Sequence, residues 1–340
     1  MFNKIYLPIL FCSAILFVGC DNTAKIPQPN KDSIAPQKDQ PITIAYSEWP
    51  GSLAWQIAQD KGWFKEAGLN VELKWFDYSA SLQAFMANKL DAVVVANGDN
   101  FILSTGGARP AIIMAHDYSA GNDVIIAKSG ITSLQGLKGK TIALEKGLVS
   151  DLLFTTAMQD AGLNPKDVKV TNAATNELPQ IFQSPDIAAI ALWQPIAHQA
   201  LASVPDAKII YDSSKKPGLI YDTLSVNQVH LQQHREEWKK IIQIWDRTVN
   251  YINDPATRQD AIHLMAKRAS IDPVAYERIM KGTKLLNLAE NKRIFKKGSG
   301  FDSIYGASYY VNQFNLRQGL YAQSPAVEQL INPNLIEELP

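Results

Sequence analysis

The chain has 340 residues, and its 33 basic side chains balance 33 acidic ones to a formal net charge of zero, so there is no basic excess of the kind a nucleic-acid surface needs. Its only cysteines, Cys12 and Cys20, lie close to the amino end. The rest of the chain therefore has no disulfide framework, thiol nucleophile or cysteine-based metal site, and an ordinary hydrophobic core must hold it together. About 300 residues suffice for two lobes.

Met1–Gly19 reads as a secretory signal peptide: Lys4 supplies a short positive region and Ile5–Val18 an apolar run. That run is shorter than the ~20 residues of a membrane-spanning helix. Leu16-Phe17-Val18-Gly19-Cys20 resembles a bacterial lipobox, which makes Cys20 the expected lipidation site and new amino terminus. Asp21, directly after it, resembles a signal for retention at the inner membrane. Residues 21–40 are polar, carry Pro27, Pro29 and Pro36, and read as a flexible tether.

From Ile42 onward, strand-like and helix-like stretches alternate. Ile42–Ala45 is a strand and leads through the loop Tyr46–Gly51 into a helix over Ser52–Lys61, with Ser52 as its expected cap. Val71–Phe76 is a strand, Ser79–Asn88 a helix and Ala92–Ala96 a buried strand. Asn97-Gly98-Asp99 then turns into a helix that runs to Thr105. Strands follow at Ala111–Ala115 and Val124–Ala127. A second series has strands at Thr141–Leu144, Val168–Thr171 and Ala188–Leu192, with helices at Val149–Ala161 and Pro195–Leu201 among them. Lys208–Tyr211 and Thr223–Val226 close the strand-rich part. Beyond His230 the pattern is helical, and Trp238, Ile241, Ile242, Trp245, Val249 and Ile252 fall on one packing face.

Two αβ series followed by helices predict a two-lobed α/β protein. One lobe takes residues 41–127 and 228–340, the other residues 128–227, with crossings near Lys128 and Asn227.

No catalytic signature survives inspection. Gly139-Lys140-Thr141 resembles the end of a phosphate-binding loop, but Leu134 stands where such a loop needs glycine, and the triplet opens a strand rather than a helix. Gly298-Ser299-Gly300 lacks the preceding strand. His230 and His234 have helical spacing but sit in a highly charged stretch that reads as a surface. No cofactor is expected, and the chain reads as a non-enzyme.

Several stretches together resemble the periplasmic solute-binding proteins of ABC importers, in the branch that handles nitrate, sulfonates, taurine and thiamine-precursor pyrimidines. They are Ala58–Leu69 (AQDKGWFKEAGL), Leu90-Asp91-Ala92, Ile131–Ala143 (ITSLQGLKGKTIA) and Ala191-Leu192-Trp193-Gln194-Pro195. The stretch Ser184–Ala189 departs from the family pattern, which has Gly-x-Val-Asp-Ala at that place. The resemblance implies the two-lobed type II periplasmic-binding-protein fold, a Venus flytrap with a helical C-terminal region. It also implies a monomer that holds solute between its lobes and delivers it, when closed, to an ABC permease with its ATPase. Two other readings compete. One is a pyrimidine-precursor synthase-like enzyme on the same fold, which the absence of cysteine after Cys20 disfavours; the other is a sensory binding lipoprotein.

The cleft is expected at the strand ends. From the first lobe it takes Ser47, Glu48, Trp49, Asn97, Asp99, Asn122 and Asp123. From the second it takes Glu145, Gly147, Ser150, Glu177, Trp193, Tyr221 and Asp222. Gly147–Ser150 opens a helix and offers backbone amides to an anion. The side chains argue otherwise: Glu48, Asp99, Asp123, Glu145 and Asp222 stand against Lys146 alone, with aromatic rings beside them. That set favours an amine-bearing zwitterion or a nitrogen heterocycle over a simple oxyanion.

Overall fold

Residues 40–340 are described by the structure, a computed structural model. The expected signal peptide, the expected lipidation site Cys20 and the expected tether up to residue 39 lie outside the described residues.

The alternating apolar residues of Ile42–Tyr46 (β1) pair in parallel with Val71–Trp75 (β2) and Ala92–Ala96 (β3). Pro110–Ser119 (β4) then runs into Asp123–Ala127 (β5). Thr141–Leu144 (β6), Lys169–Asn172 (β7), Ala189–Trp193 (β8) and Lys208–Asp212 (β9) follow. Tyr221–Asn227 (β10) and Thr283–Leu285 (β11) complete the strands among the described residues. They form two sheets, ordered β11-β4-β10-β3-β1-β2 and β7-β6-β8-β5-β9. Parallel pairs dominate one end of each sheet. The crossing strands pair antiparallel: β10 with β3 and β4, β5 with β8 and β9.

The sheet change falls one strand earlier than the sequence placed it at each crossing. β5 belongs to the second sheet and β10 to the first. Each joins its sheet through strands remote in sequence, β5 through β8 and β10 through β3 and β4, so its own residues do not reveal the choice. β4 also runs past Ala115. The polar residues beyond the expected end, Asp117–Ser119, are laddered between β10 and β11. Ser52 is not a cap: the chain has already turned helical at Gly51 (φ −65°, ψ −40°), and a short 3-10 turn, Ser52–Ala54, leads into the α-helix Trp55–Asp60.

Helices cover the sheets. The 19-residue helix Arg235–Asn253 buries Trp238, Ile241, Ile242, Trp245, Val249 and Ile252 against the first sheet. At roughly 1.5–3 kcal/mol for each large apolar side chain, this stripe anchors the C-terminal part of the chain to that sheet. Trp55, Phe64 and Trp245 pack ring against ring in the same core. Among the described residues, no helix is long and apolar enough to cross a membrane.

Candidate functional site

The site grows from the crossing strands. Where β4 and β10 lie side by side, Asp117 stands directly opposite Asp222, and Tyr118 opposite Tyr221. Side chains alternate along a strand, so the two aspartates share one face and the two tyrosines the other. Like charges directly across a ladder repel, so this pair is tolerated only if the two carboxyls share protons. A third aspartate, Asp123, opens β5 and pairs across the ladder with Trp193 at the end of β8. Trp49, Tyr78, Val149 and Ile220 join Asp123, Trp193 and Asp222 as lining. The space left among them is about 10 Å³, the room of one water molecule.

Several contacts hold the walls. The Trp49 indole donates to both oxygens of Asp117, at 3.0 and 3.2 Å. Gly51 lets that carboxylate approach the loop: a Cβ there would stand 1.8 Å from Asp117 Oδ2. Tyr78 donates to Asp99 Oδ2 at 2.5 Å while its oxygen accepts from the Ala96 amide. The Trp193 indole crosses between the sheets to donate to Glu48 Oε1 at 3.1 Å, and its ring meets Tyr78 edge-on.

Burial sets the charge state of these acids. It pushes Asp117 up to about 8, against the pull of the Trp49 donor. It pushes Asp99 and Asp123 up to about 7, against donation from Tyr78 and Ser119 respectively. Asp222 is raised well above the ordinary carboxylate range, first by burial and then by Asp117, Asp123 and Asp99. Glu48 is raised as well, chiefly by burial. One acceptor is left over: Asp123 Oδ2 is buried and has no hydrogen-bond partner. Among the described residues, no group of three or more His, Cys, Asp or Glu side chains is arranged to hold a metal ion.

The structure brings Trp49, Asp123, Trp193 and Asp222 together around this space and sets Glu48 and Asp99 in its walls. Glu145 is buried nearby but already accepts from the amide and hydroxyl of Thr175. Other expected residues do structural work. Asn122 ties the crossing to Ile279 and Thr283, and Asn97 accepts from the Tyr221 amide. Ser47 is buried, and Glu177 is exposed and takes the Ala174 amide. The Tyr221 ring lies on the opposite face of β10, with its hydroxyl on the Phe301 carbonyl, because it is one residue out of phase with Asp222. The Gly147 amide already donates to Asp151, and Gly147 faces an outer groove with Lys146, Lys166 and Arg317. Ser150 is fully buried, and its hydroxyl has no partner. Sequence reasoning missed Tyr78, Asp117, Val149 and Ile220 as site residues. The ladder partner of Asp222 was the signal for Asp117, hidden by ending β4 too early.

Two sheets joined by crossing strands, with a residue-lined cleft at the crossings, define the periplasmic-binding-protein fold. The periplasmic aliphatic sulphonate binding protein SsuA from Escherichia coli superposes with a TM-score of 0.70 at 16% identity, covering 88% of this chain and 99% of that one. The NMT1/THI5-like family model matches residues 49–257, and the chain belongs to that family. A putative binding protein of Brucella abortus is 24% identical over 272 residues, spanning 78% of this chain and 83% of its own length. A putative aliphatic sulfonates-binding protein of Bacillus subtilis is 24% identical over 239 residues, spanning 68% of this chain and 71% of its own.

Proposed function

We propose that this protein is the solute-binding component of an ABC importer, and that it takes a small amine-bearing or nitrogen-heterocyclic solute between its two lobes. The observation that carries the choice of solute is Asp123 Oδ2, a buried carboxyl oxygen without a partner, set against Asp222, Trp49 and Trp193. An unsatisfied buried acceptor is costly, and an N–H donor on a solute would relieve it. The indole faces would hold a flat or cationic group. The small space admits only a small solute, or requires the lobes to part slightly around a larger one. The names of the relatives support transport as the role, and the sulfonate in those names marks the competing ligand class. On this reading lobe one takes the first sheet and lobe two the second. The chain works on the periplasmic side, held to the membrane through Cys20, as a monomer that docks on its permease.

Thermal-shift screening tests this directly. A ligand that binds only the folded state raises the melting temperature with its occupancy. The panel would hold nitrate, bicarbonate, alkanesulfonates, taurine, polyamines, small ammonium and guanidinium salts, and pyrimidine and purine bases. Guanidinium is included because its planar fork of donors matches carboxylates. Shifts with amines, cations or heterocycles are expected. A shift with nitrate or alkanesulfonate alone would overturn the reading.

A further inference from the structure

We infer that the cleft takes its solute in exchange for protons: a net cation enters as at least one of Asp117, Asp123 and Asp222 gives up a proton to solvent. The solute is then held at alkaline pH and released at acid pH. This rests on the amine-binding reading above and adds to it the net charge of the solute and its coupling to pH.

The geometry requires protons in the cleft. Asp117 and Asp222 face each other across one ladder position, and Asp222 also feels Asp123 and Asp99. Glu48 and Glu145 add negative charge from the loop after β1 and the end of β6. The other titratable groups that bear on these acids are Asp77 on Glu48, Tyr78 on Asp99 and Asp222, Tyr276 on Asp117, and Tyr321 on Asp99. None is a cation. Lys146, on the loop after β6, lines the outer groove with Lys166 and Arg317. A buried set of carboxyls without a counter-cation keeps its protons, and the upward shifts of Asp99, Asp117, Asp123 and Asp222 agree.

A cation placed among these acids favours their charged forms. Each carboxyl that ionises frees one proton, so the charge of the cleft is conserved as the solute replaces the proton. By linkage, the affinity for the cation rises with pH until the exchanging groups ionise unaided, near or above neutrality. Below that it falls up to about tenfold per pH unit for each proton exchanged.

Calorimetric titration with methylammonium, guanidinium and putrescine chlorides tests the exchange. Each would be run near neutral pH in phosphate and again in Tris, whose different ionisation heats report the protons moved. The expected result is release of about half a proton or more per solute bound, with affinity about threefold to tenfold lower one pH unit down. Asp123→Asn should reduce the release and flatten the pH profile while circular dichroism stays native; if that variant fails to fold, Asp117→Asn replaces it. Cation binding without proton release, or with aspartate carboxyls titrating wholly below about pH 5 by carbon-13 NMR, would overturn the exchange and leave the amine reading intact. Failure of every cation to bind, or binding of an oxyanion with proton uptake, would overturn both.

Discussion

Two neighbouring residues of β4 are buried in opposite ways. His116 faces the aromatic core under the first sheet, where the Trp55 indole donates to its Nε2 at 2.8 Å and the rings of Trp55 and Trp245 pack against it edge-on. Burial alone lowers its pKa to about 3, so it is a neutral imidazole with its proton on Nδ1. Asp117 faces the cleft, also uncharged at neutral pH, but it stands opposite a second aspartate and close to a third, whose outer oxygen has no partner. Each side leaves one buried polar atom without a partner, the Nδ1 of His116 and the Oδ2 of Asp123, but only Asp123 borders the small space among Trp49, Trp193 and Asp222. Burial depth is equal at the two residues, so what each faces, aromatic packing or a cluster of acids beside a small space, separates structure from function.

The largest effect should come from the cleft acids. A carboxyl whose folded pKa is raised stabilises the fold fully below its unfolded value, and loses that contribution as pH rises through the folded one. Asp99, Asp117 and Asp123, raised to about 7, 8 and 7, should therefore cost the ligand-free protein stability between about pH 4 and pH 9. The loss should amount to a few kcal/mol, some of it appearing as lobe opening rather than unfolding. Denaturation midpoints across this range measure it. Asp117→Asn should flatten the profile and raise stability at alkaline pH. A profile indifferent to that substitution would mean the pair is not protonated.

The elements around this contrast were partly legible in sequence, because periodicity records burial. The run Ala92–Ala96 and the stripe from Trp238 to Ile252 announce a buried strand and a packing face. Trp49, Asp99, Asp123, Trp193 and Asp222 lie at strand ends, where α/β proteins place their ligands. Partnership across the sheet was not legible. A ladder register joins residues more than a hundred positions apart, so nothing local to Asp117 or to Asp222 shows that they face each other. The same blindness placed the Tyr221 ring in the cleft, although one step of alternation turns it away. It also offered the Gly147 amide to an anion when Asp151 already holds it.

The core side gives the next effect, with the opposite sign. His116 is kept neutral when folded but protonates when unfolded, so stability should fall as pH drops below the ordinary histidine value of 6.5. Between pH 7 and pH 5 this amounts to about 2 kcal/mol. His116→Phe leaves the Trp55 indole without its acceptor and should be less stable than wild type at pH 7. Its further loss on going to pH 5 should nonetheless be smaller by about that 2 kcal/mol. Urea midpoints at the two pH values test this; an unchanged difference would show that acid sensitivity arises elsewhere.

The smallest effect belongs to the contact that spans the two sheets. The Trp193 indole donates to Glu48 Oε1 at 3.1 Å, linking the end of β8 to the loop after β1. Trp193→Phe removes that donor and retains a ring to meet Tyr78. A hydrogen bond at a partly solvated carboxylate contributes about 1 kcal/mol, so the closed form should lose about fivefold in population relative to the open one. Small-angle scattering of the ligand-free protein would read this as a larger radius of gyration. Solute affinity should fall by a similar factor, because closure contributes to binding. A loss of a hundredfold or more would place the indole itself against the solute. No change in shape or affinity would show that the sheets are held together by the rings of Trp49, Tyr78 and Trp193, with the Glu48 bond incidental.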